Sequence, residues 1–146
     1  MLIGHNKKIS LDRFIYKSLY DKDNGYYIKK NPFGKKGDFI TSPNISVLFS
    51  EMISIWLISF WENLKKPKKI NIIELGAGNG EMMSQIIKTL NNFSEINLSA
   101  NFLILEKSPL LIKIQKSKID KKKARWIGNL KEIPKAPTIF LANEFF

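Results

Sequence analysis

Residues 70–80 read INIIELGAGNG, and this stretch decides the fold of the chain. Its first half, residues 70–75, is a mostly apolar segment that predicts a β-strand leading into the loop. Three glycines follow within five residues, at Gly76, Gly78 and Gly80. Residues 81–91 then carry apolar side chains at helical spacing. A strand, a glycine loop and a helix in this order are typical of an α/β nucleotide-binding fold, because glycines allow positive φ and close approach of a ligand to the backbone.

The spacing of the loop distinguishes between cofactors. A dinucleotide fingerprint would place its third glycine where Glu81 stands, and a carboxylate there would repel a pyrophosphate. No Gly-Lys-Ser/Thr follows, which excludes a P-loop. Glu74 precedes the loop and suits the sulfonium and ammonium charges of S-adenosyl-L-methionine. That cofactor is therefore favoured over NAD, although an NAD-dependent dehydrogenase and a tight turn without ligand remain alternatives.

Downstream of the loop, strand and helix patterns alternate, which predicts parallel βαβ units. The expected elements are strands at residues 102–106, 124–127 and 137–142, a helix at 109–118 and a polar connection at 92–101. Glu106 ends the second strand, where an acid can accept both ribose hydroxyls of an adenosine; an ordinary helix cap is the alternative.

The tip of the last predicted strand carries Asn143 and Glu144. In this topology the tip faces the transferable group, so these two residues are candidates to orient an acceptor nitrogen, and a carboxylate can bind a guanidinium through two hydrogen bonds. A solvated chain end is the alternative interpretation of the same residues.

The first part of the chain, residues 1–68, predicts a helical N-terminal arm. A helix is expected at residues 10–20 with Ser10 as its N-cap, followed by a short extended piece at 26–28. A second helix is expected to begin with Ser42 as cap and Pro43 in the first helical position, and to run to about Leu64. Residues 69–146 then form the first half of a cofactor-binding domain, cut short after its fourth strand.

Composition limits the partners. The net charge is +11, but only two of the 24 basic residues are arginine and the lysines are spread along the chain. This pattern favours a solvated surface over a nucleic-acid site. The most apolar stretch, residues 45–61, is interrupted by Glu51, so no membrane span is expected. The chain has no cysteine, which excludes disulfides and thiolate chemistry.

Four blocks together resemble the MidA family of methyltransferases. They are GDFITSPNIS at residues 37–46, ELGAGNG at 74–80, EKSP at 106–109 and ANEFF at 142–146. The mitochondrial members are protein-arginine methyltransferases that assist assembly of respiratory complex I. The chain differs from the usual family pattern at Asn44, where a glutamate is common, at Ala77, where a proline is common, and at Asn79, where a basic residue is common. Family members also continue well beyond residue 146.

The resemblance implies a Rossmann-like class I methyltransferase sheet, of which this chain carries the first four strands. It implies S-adenosyl-L-methionine as cofactor, with a site formed by Glu74, Gly76, Ala77, Gly78, Gly80 and Glu106. Asn143 and Glu144 would be catalytic, and Gly37, Asp38, Thr41 and Ser42 would close over the cofactor or present the substrate.

The implied acceptor is a protein arginine, in a role related to complex I biogenesis. The expected location is the cytoplasm for a bacterial protein and the mitochondrial matrix for eukaryotic relatives. A non-catalytic assembly or binding module that retains the fold is the alternative function.

Overall fold

The computed structural model describes residues 8–34 and 37–145. The arm contains four helices: α1 Leu11–Tyr20, α2 Tyr26–Lys29, α3 Ser42–Ile45 and α4 Val47–Asn63. The α/β half follows with β1 Ile70–Leu75, α5 Glu81–Leu90, α6 Ser94–Ser99, β2 Ala100–Leu105, α7 Pro109–Lys118, β3 Ala124–Ile127, a 3-10 turn at Leu130–Glu132 and β4 Thr138–Leu141. The predicted α/β class with a helical N-terminal arm is confirmed. Residues 1–7, 35–36 and 146 of the two predicted ranges, 1–68 and 69–146, lie outside the described residues.

The four strands form one parallel sheet in the order β3-β2-β1-β4. The central strand β1 pairs with β2 on one side, where Glu74 lies opposite Ile104, and with β4 on the other, where Glu74 lies opposite Leu141. Strand order therefore reverses between β1 and β4. In open α/β sheets the ligand binds at the carboxyl ends of the strands beside this switch point, and the glycine loop leaves β1 at that place.

Strand β1 is buried on both faces of the sheet, which explains why it is mostly apolar rather than alternating between apolar and polar residues. On one face α4 and α5 pack on the sheet and bury Leu57, Met83 and Ile86 completely. A smaller cluster of Ile73, Leu103 and Ile127 fills the other face. Two buried serines of α4, at positions 50 and 54, lie among the core residues.

The structure corrects three predictions in the arm. Residues 26–28 are not extended but begin α2, because the carbonyl of Gly25 accepts hydrogen bonds from the N–H groups of Ile28 (3.0 Å) and Lys29 (3.1 Å). The segment predicted as a single helix from Ser42 to Leu64 forms two helices, α3 and α4, which are separated at Ser46. The backbone of Ser46 is extended, and its hydroxyl caps α4 by accepting a hydrogen bond from Leu48 N. Thr41, not Ser42, occupies the N-cap of α3, which moves Pro43 to the second helical position.

In the α/β half, the predicted polar connection at residues 92–101 is wrong in part. It contains α6, whose buried Ile96 anchors the helix to the core, and β2 already begins at Ala100. Burial of one apolar side chain against the core thus stabilises a helix in a segment whose polar sequence does not predict a helix. Within the described part of the chain, no helix combines the length and apolarity needed to cross a bilayer.

Candidate cofactor site

The glycine loop adopts a backbone that requires its glycines. Gly76, Gly78 and Gly80 all have positive φ, at 64°, 52° and 79°. Two phenyl rings also lie directly on the loop: a Cβ added to Gly76 would come within 2.6 Å of the Phe145 ring, and one added to Gly78 within 3.3 Å of the Phe33 ring. The loop therefore requires glycines for two reasons: its backbone is left-handed at these positions, and the rings leave little space for a side chain.

A cavity of about 260 Å³ lies between this loop, the strand ends and the arm. Its lining brings together most of the residues predicted for the site: Thr41, Glu74, Gly76, Ala77, Gly78, Glu106, Asn143 and Glu144. Four predicted residues do not line it. These are Gly80, which packs on Gln115, and Gly37, Asp38 and Ser42, which lie in the preceding arm segment.

Glu74 is a buried carboxyl at the base of the cavity, with 4% of its surface exposed. Its Oε2 atom has no hydrogen-bond partner among the described residues. Burial raises the pKa of Glu74 to about 8, a backbone hydrogen bond from Met83 opposes this rise, and the charge of Glu106 adds to it. A buried unpaired oxygen of this kind is costly unless a donor satisfies it, so the position is suited to a cationic donor from a ligand.

Glu106 is the second buried carboxyl of the cavity, directly after β2. Its Oε1 accepts from the backbone N–H groups of Lys107 (2.8 Å) and Ser108 (2.9 Å), and its Oε2 accepts from Nε2 of Gln115 (3.2 Å). Burial raises the pKa of Glu106, whereas these three hydrogen bonds lower it. A carboxylate offers about four acceptor positions, so capacity remains for a ligand hydroxyl.

The alternative that Glu106 is the cap of α7 is wrong. Ser108 occupies that N-cap, and its Oγ accepts from Leu111 N at 3.2 Å. The same hydroxyl donates to the carbonyl of Tyr27 at 2.6 Å, which ties α2 of the arm to the end of β2.

The arm supplies an aromatic wall that the sequence alone did not reveal. Tyr20, Tyr27, Phe33 and Phe39 line the cavity, and the rings of Tyr27 and Phe33 are stacked with centroids 6.1 Å apart. A pattern of closely spaced aromatic residues between positions 20 and 39 was the available signal, but their convergence depends on how the arm folds back over the sheet.

Residues 37–42, predicted as a lid, mostly stabilise the arm itself. Asp38 pairs with Lys30 at 2.5 Å and accepts from the Tyr26 hydroxyl. Gly37 donates its N–H to the carbonyl of Gly34 at 2.8 Å in a tight turn, and Thr41 reaches the cavity.

The tip of β4 contributes Asn143 and Glu144 to the opposite rim of the cavity. Glu144 has a positive φ of 52°, a conformation that costs a non-glycine residue energy. Asn143 Nδ2 lies 3.4 Å from Glu144 Oε1. Both residues therefore belong to the lining of the cavity.

This donor set fits S-adenosyl-L-methionine. The unpaired Oε2 of Glu74 suits an ammonium or sulfonium, the Glu106 carboxyl suits ribose hydroxyls, and the glycine loop lines the cavity between them.

Comparison with known proteins agrees with this geometry. Residues 52–146 match the family model described as "Putative S-adenosyl-L-methionine-dependent methyltransferase". The chain belongs to this methyltransferase family. The match includes the glycine loop, both buried carboxyls and the tip of β4, and it confirms the family predicted from the sequence blocks.

Two curated relatives align with 94% of this methyltransferase-family chain. The Drosophila melanogaster "Protein arginine methyltransferase NDUFAF7 homolog, mitochondrial" is 30% identical, and the Homo sapiens "Protein arginine methyltransferase NDUFAF7, mitochondrial" is 29% identical. The chain spans only 36% and 37% of the length of these two proteins.

The fold also matches a crystal structure of a Burkholderia thailandensis protein bound to S-adenosyl-homocysteine. The TM-score is 0.67 at 20% identity, over 90% of this chain and 36% of that one.

Proposed function

We propose that this site binds S-adenosyl-L-methionine and that the protein transfers its methyl group to arginine side chains of a protein substrate. The buried, unpaired Oε2 of Glu74 beside the glycine loop carries the proposal, because it calls for a cationic donor that the described residues do not supply. Membership of the methyltransferase family and the names of the two curated relatives support it.

The residues predicted for the cofactor site then have specific roles. Glu74 would receive the ammonium of the cofactor, the backbone of Gly76, Ala77 and Gly78 would lie along its methionine part, and Glu106 would accept from its ribose hydroxyls. Gly80 would act indirectly, by allowing the turn into α5. The cofactor supplies an electrophilic methyl group on its sulfonium.

Asn143 and Glu144 would face the acceptor. The Glu144 carboxylate can bind a guanidinium through two hydrogen bonds, and this would position the attacking nitrogen. Thr41 would contact the bound molecules directly, whereas Gly37, Asp38 and Ser42 would hold the arm segment that presents Thr41. This arm segment, rather than each of its residues, would be the lid.

The relatives' names extend the proposal to location and partners. Both relatives are named as mitochondrial protein arginine methyltransferases, so a eukaryotic form of this protein would act on a protein in mitochondria. A subunit of respiratory complex I is the substrate that the resemblance to the MidA family implies. A bacterial form would act in the cytoplasm.

Calorimetric titration of the chain with S-adenosyl-homocysteine, and with NAD as the competing cofactor, tests the binding step. We expect S-adenosyl-homocysteine alone to bind, and Glu106→Ala to weaken it by about 1–3 kcal/mol, the scale of a lost hydrogen bond to a charged group. Glu62→Ala, at an exposed position on α4, is the matched control and should bind like the wild type. Binding of NAD instead would overturn the cofactor assignment.

Methyl transfer requires its own assay. The complete protein that carries this sequence would be incubated with radiolabelled cofactor and arginine-containing respiratory subunits. Label on arginine supports the transferase, and its loss in Glu144→Gln with retained cofactor binding supports the acceptor role. Tight cofactor binding without transfer to any protein would favour a non-catalytic assembly module.

A further inference from the structure

Gln115 is a fully buried polar residue on α7 that contacts three other parts of the fold. Its Nε2 donates to the carbonyl of Gly78 at 2.8 Å and to Oε2 of Glu106 at 3.2 Å. Its Oε1 accepts from Nε1 of Trp126 on β3 at 2.8 Å. One amide thus joins the glycine loop, the residue after β2, and β3.

The orientation of this amide is fixed by its partners. The indole N–H of Trp126 can only donate, so it must face the amide oxygen of Gln115. The amide nitrogen is then directed at two acceptors, the Gly78 carbonyl and the Glu106 carboxylate. Exchange of the two amide groups would place oxygen against oxygen on one side and donor against donor on the other.

Gln115 also explains why Gly80 is a glycine although it does not line the cavity. A Cβ at position 80 would lie 3.1 Å from Cγ and 3.3 Å from Cα of Gln115. Gly80, at the end of the glycine loop, therefore packs directly on Gln115. The side chain of Gln115 also donates a hydrogen bond to the carbonyl of Gly78.

We infer that Gln115 is a positioning residue of the cofactor site, which orients the Glu106 carboxylate and the Gly78 carbonyl and is itself oriented by Trp126. This inference rests on the proposed cofactor function and deepens it. Glu106 is held by two backbone N–H groups on Oε1, but among the described residues only Gln115 donates to Oε2. Without Gln115 the oxygen available to a ribose hydroxyl would lose its fixed direction.

A purely structural role makes a different prediction. Under that alternative, Gln115 would only satisfy the hydrogen-bonding groups buried around it. Its loss would then weaken cofactor binding equally with and without the Glu106 carboxylate. A positioning role instead makes the effect of Gln115 depend on the presence of the Glu106 carboxylate. Non-additivity between the two positions separates the two roles.

The test is a double-mutant cycle on S-adenosyl-homocysteine binding. Gln115→Leu in the wild-type background should weaken binding about 10-fold, because a hydrogen bond to a charged group is lost. In a Glu106→Gln background the same substitution should weaken it by no more than about threefold, because the oriented charge is already absent and only the neutral hydrogen bond to the Gly78 carbonyl is lost. Lys113→Leu, an exposed position on the same helix, is the control and should leave binding unchanged.

Trp126→Phe provides a second variant that keeps the Gln115 side chain and its packing. It should weaken binding about threefold, the effect of one neutral hydrogen bond, and should lose this effect in the Glu106→Gln background. The indole N–H signal of Trp126 in an NMR spectrum reports its hydrogen bond to Oε1 of Gln115 and should move upfield in Gln115→Leu. This measurement does not depend on the ligand and also shows whether the variant is folded.

The outcomes separate the two proposals. If the wild-type chain does not bind S-adenosyl-homocysteine, the proposed cofactor function fails. If it binds but Gln115→Leu and Trp126→Phe cause equal losses with and without the Glu106 carboxylate, only the positioning role of Gln115 is overturned. Should Gln115→Leu fail to fold, the cycle with Trp126→Phe decides in the same way.

Discussion

Asn79 in the glycine loop donates from Nδ2 to Oδ1 of Asn44 at the end of α3, at 2.7 Å. This hydrogen bond connects the N-terminal arm to the cofactor loop across 35 positions of sequence. Both residues differ from the MidA pattern, in which a glutamate is usual at position 44 and a basic residue at position 79. The contact between them places both of these positions in one interaction, a hydrogen bond between two side-chain amides.

The first prediction concerns this pair. Asn44→Glu alone and Asn79→Arg alone should each destabilise the chain, because each places a charge opposite a neutral amide in a part-buried contact. The double variant should be more stable than the sum of the single effects by about 1–3 kcal/mol, the range of interaction energies between contacting residues. Chemical unfolding of the four proteins measures this coupling, and additive effects would show that the contact does not link arm and loop.

The second prediction concerns the pH dependence of stability. The pKa of Glu74 is about 8 in the folded chain, above its ordinary value of 4.5, so the folded state retains a proton that the unfolded state releases. The stabilisation by this proton is complete below pH 4.5 and is lost as the pH rises to about 8. Between these values one proton changes the free energy of unfolding by at most about 1.4 kcal/mol per pH unit.

Glu74→Gln should remove this contribution, so unfolding curves of the wild type and the variant should converge at low pH and separate towards pH 8, with the variant more stable. The raised pKa of Glu106 acts in the same direction in both proteins. A difference between the two proteins that is constant from pH 5 to pH 8 would contradict a protonated Glu74.

The third prediction compares two glycines. Gly78→Ala should destabilise the chain by about 1–2 kcal/mol from its left-handed backbone alone, with a further cost from the Phe33 ring 3.3 Å away. Gly128→Ala is the matched control, because its φ is outside the left-handed region and its only near neighbour is a flexible Glu132 oxygen at 3.4 Å. Thermal melting should place the Gly78 variant well below the Gly128 variant.

The fourth prediction compares two serines at helix N-caps. Ser108→Ala removes the acceptor for Leu111 N and the donor to the Tyr27 carbonyl, so it should cost about 1–2 kcal/mol. Ser10→Ala is the control, because Ser10 occupies the N-cap of α1 without a side-chain capping bond. Limited proteolysis should also cut the Ser108 variant faster near Tyr27, since the arm loses a tether. Equal melting temperatures for both variants would contradict this role of Ser108.

The α/β half of the chain could be predicted closely. The bounds of α7 and β3 agree with the prediction residue by residue, and α5 differs by one residue. These segments have strong local signals: Ser108 and Pro109 start α7, Gly80 ends the loop before α5, and the buried strands are mostly apolar. The arm was predicted less well, because the break at Ser46 and the short helix α2 depend on packing rather than on local propensity.

The sequence by itself determined the parallel strands, the glycine loop and the two carboxyls at the ends of β1 and β2, because spacing and residue type encode local backbone geometry. Only the tertiary structure decided which side chains meet. Folding of the arm over the strand ends places the Phe33 ring on the glycine loop, and packing of α7 directs Gln115 at Glu106. One oxygen of Glu74 is left buried with no partner among the described residues. These relationships join residues distant in sequence, and no local propensity can specify them.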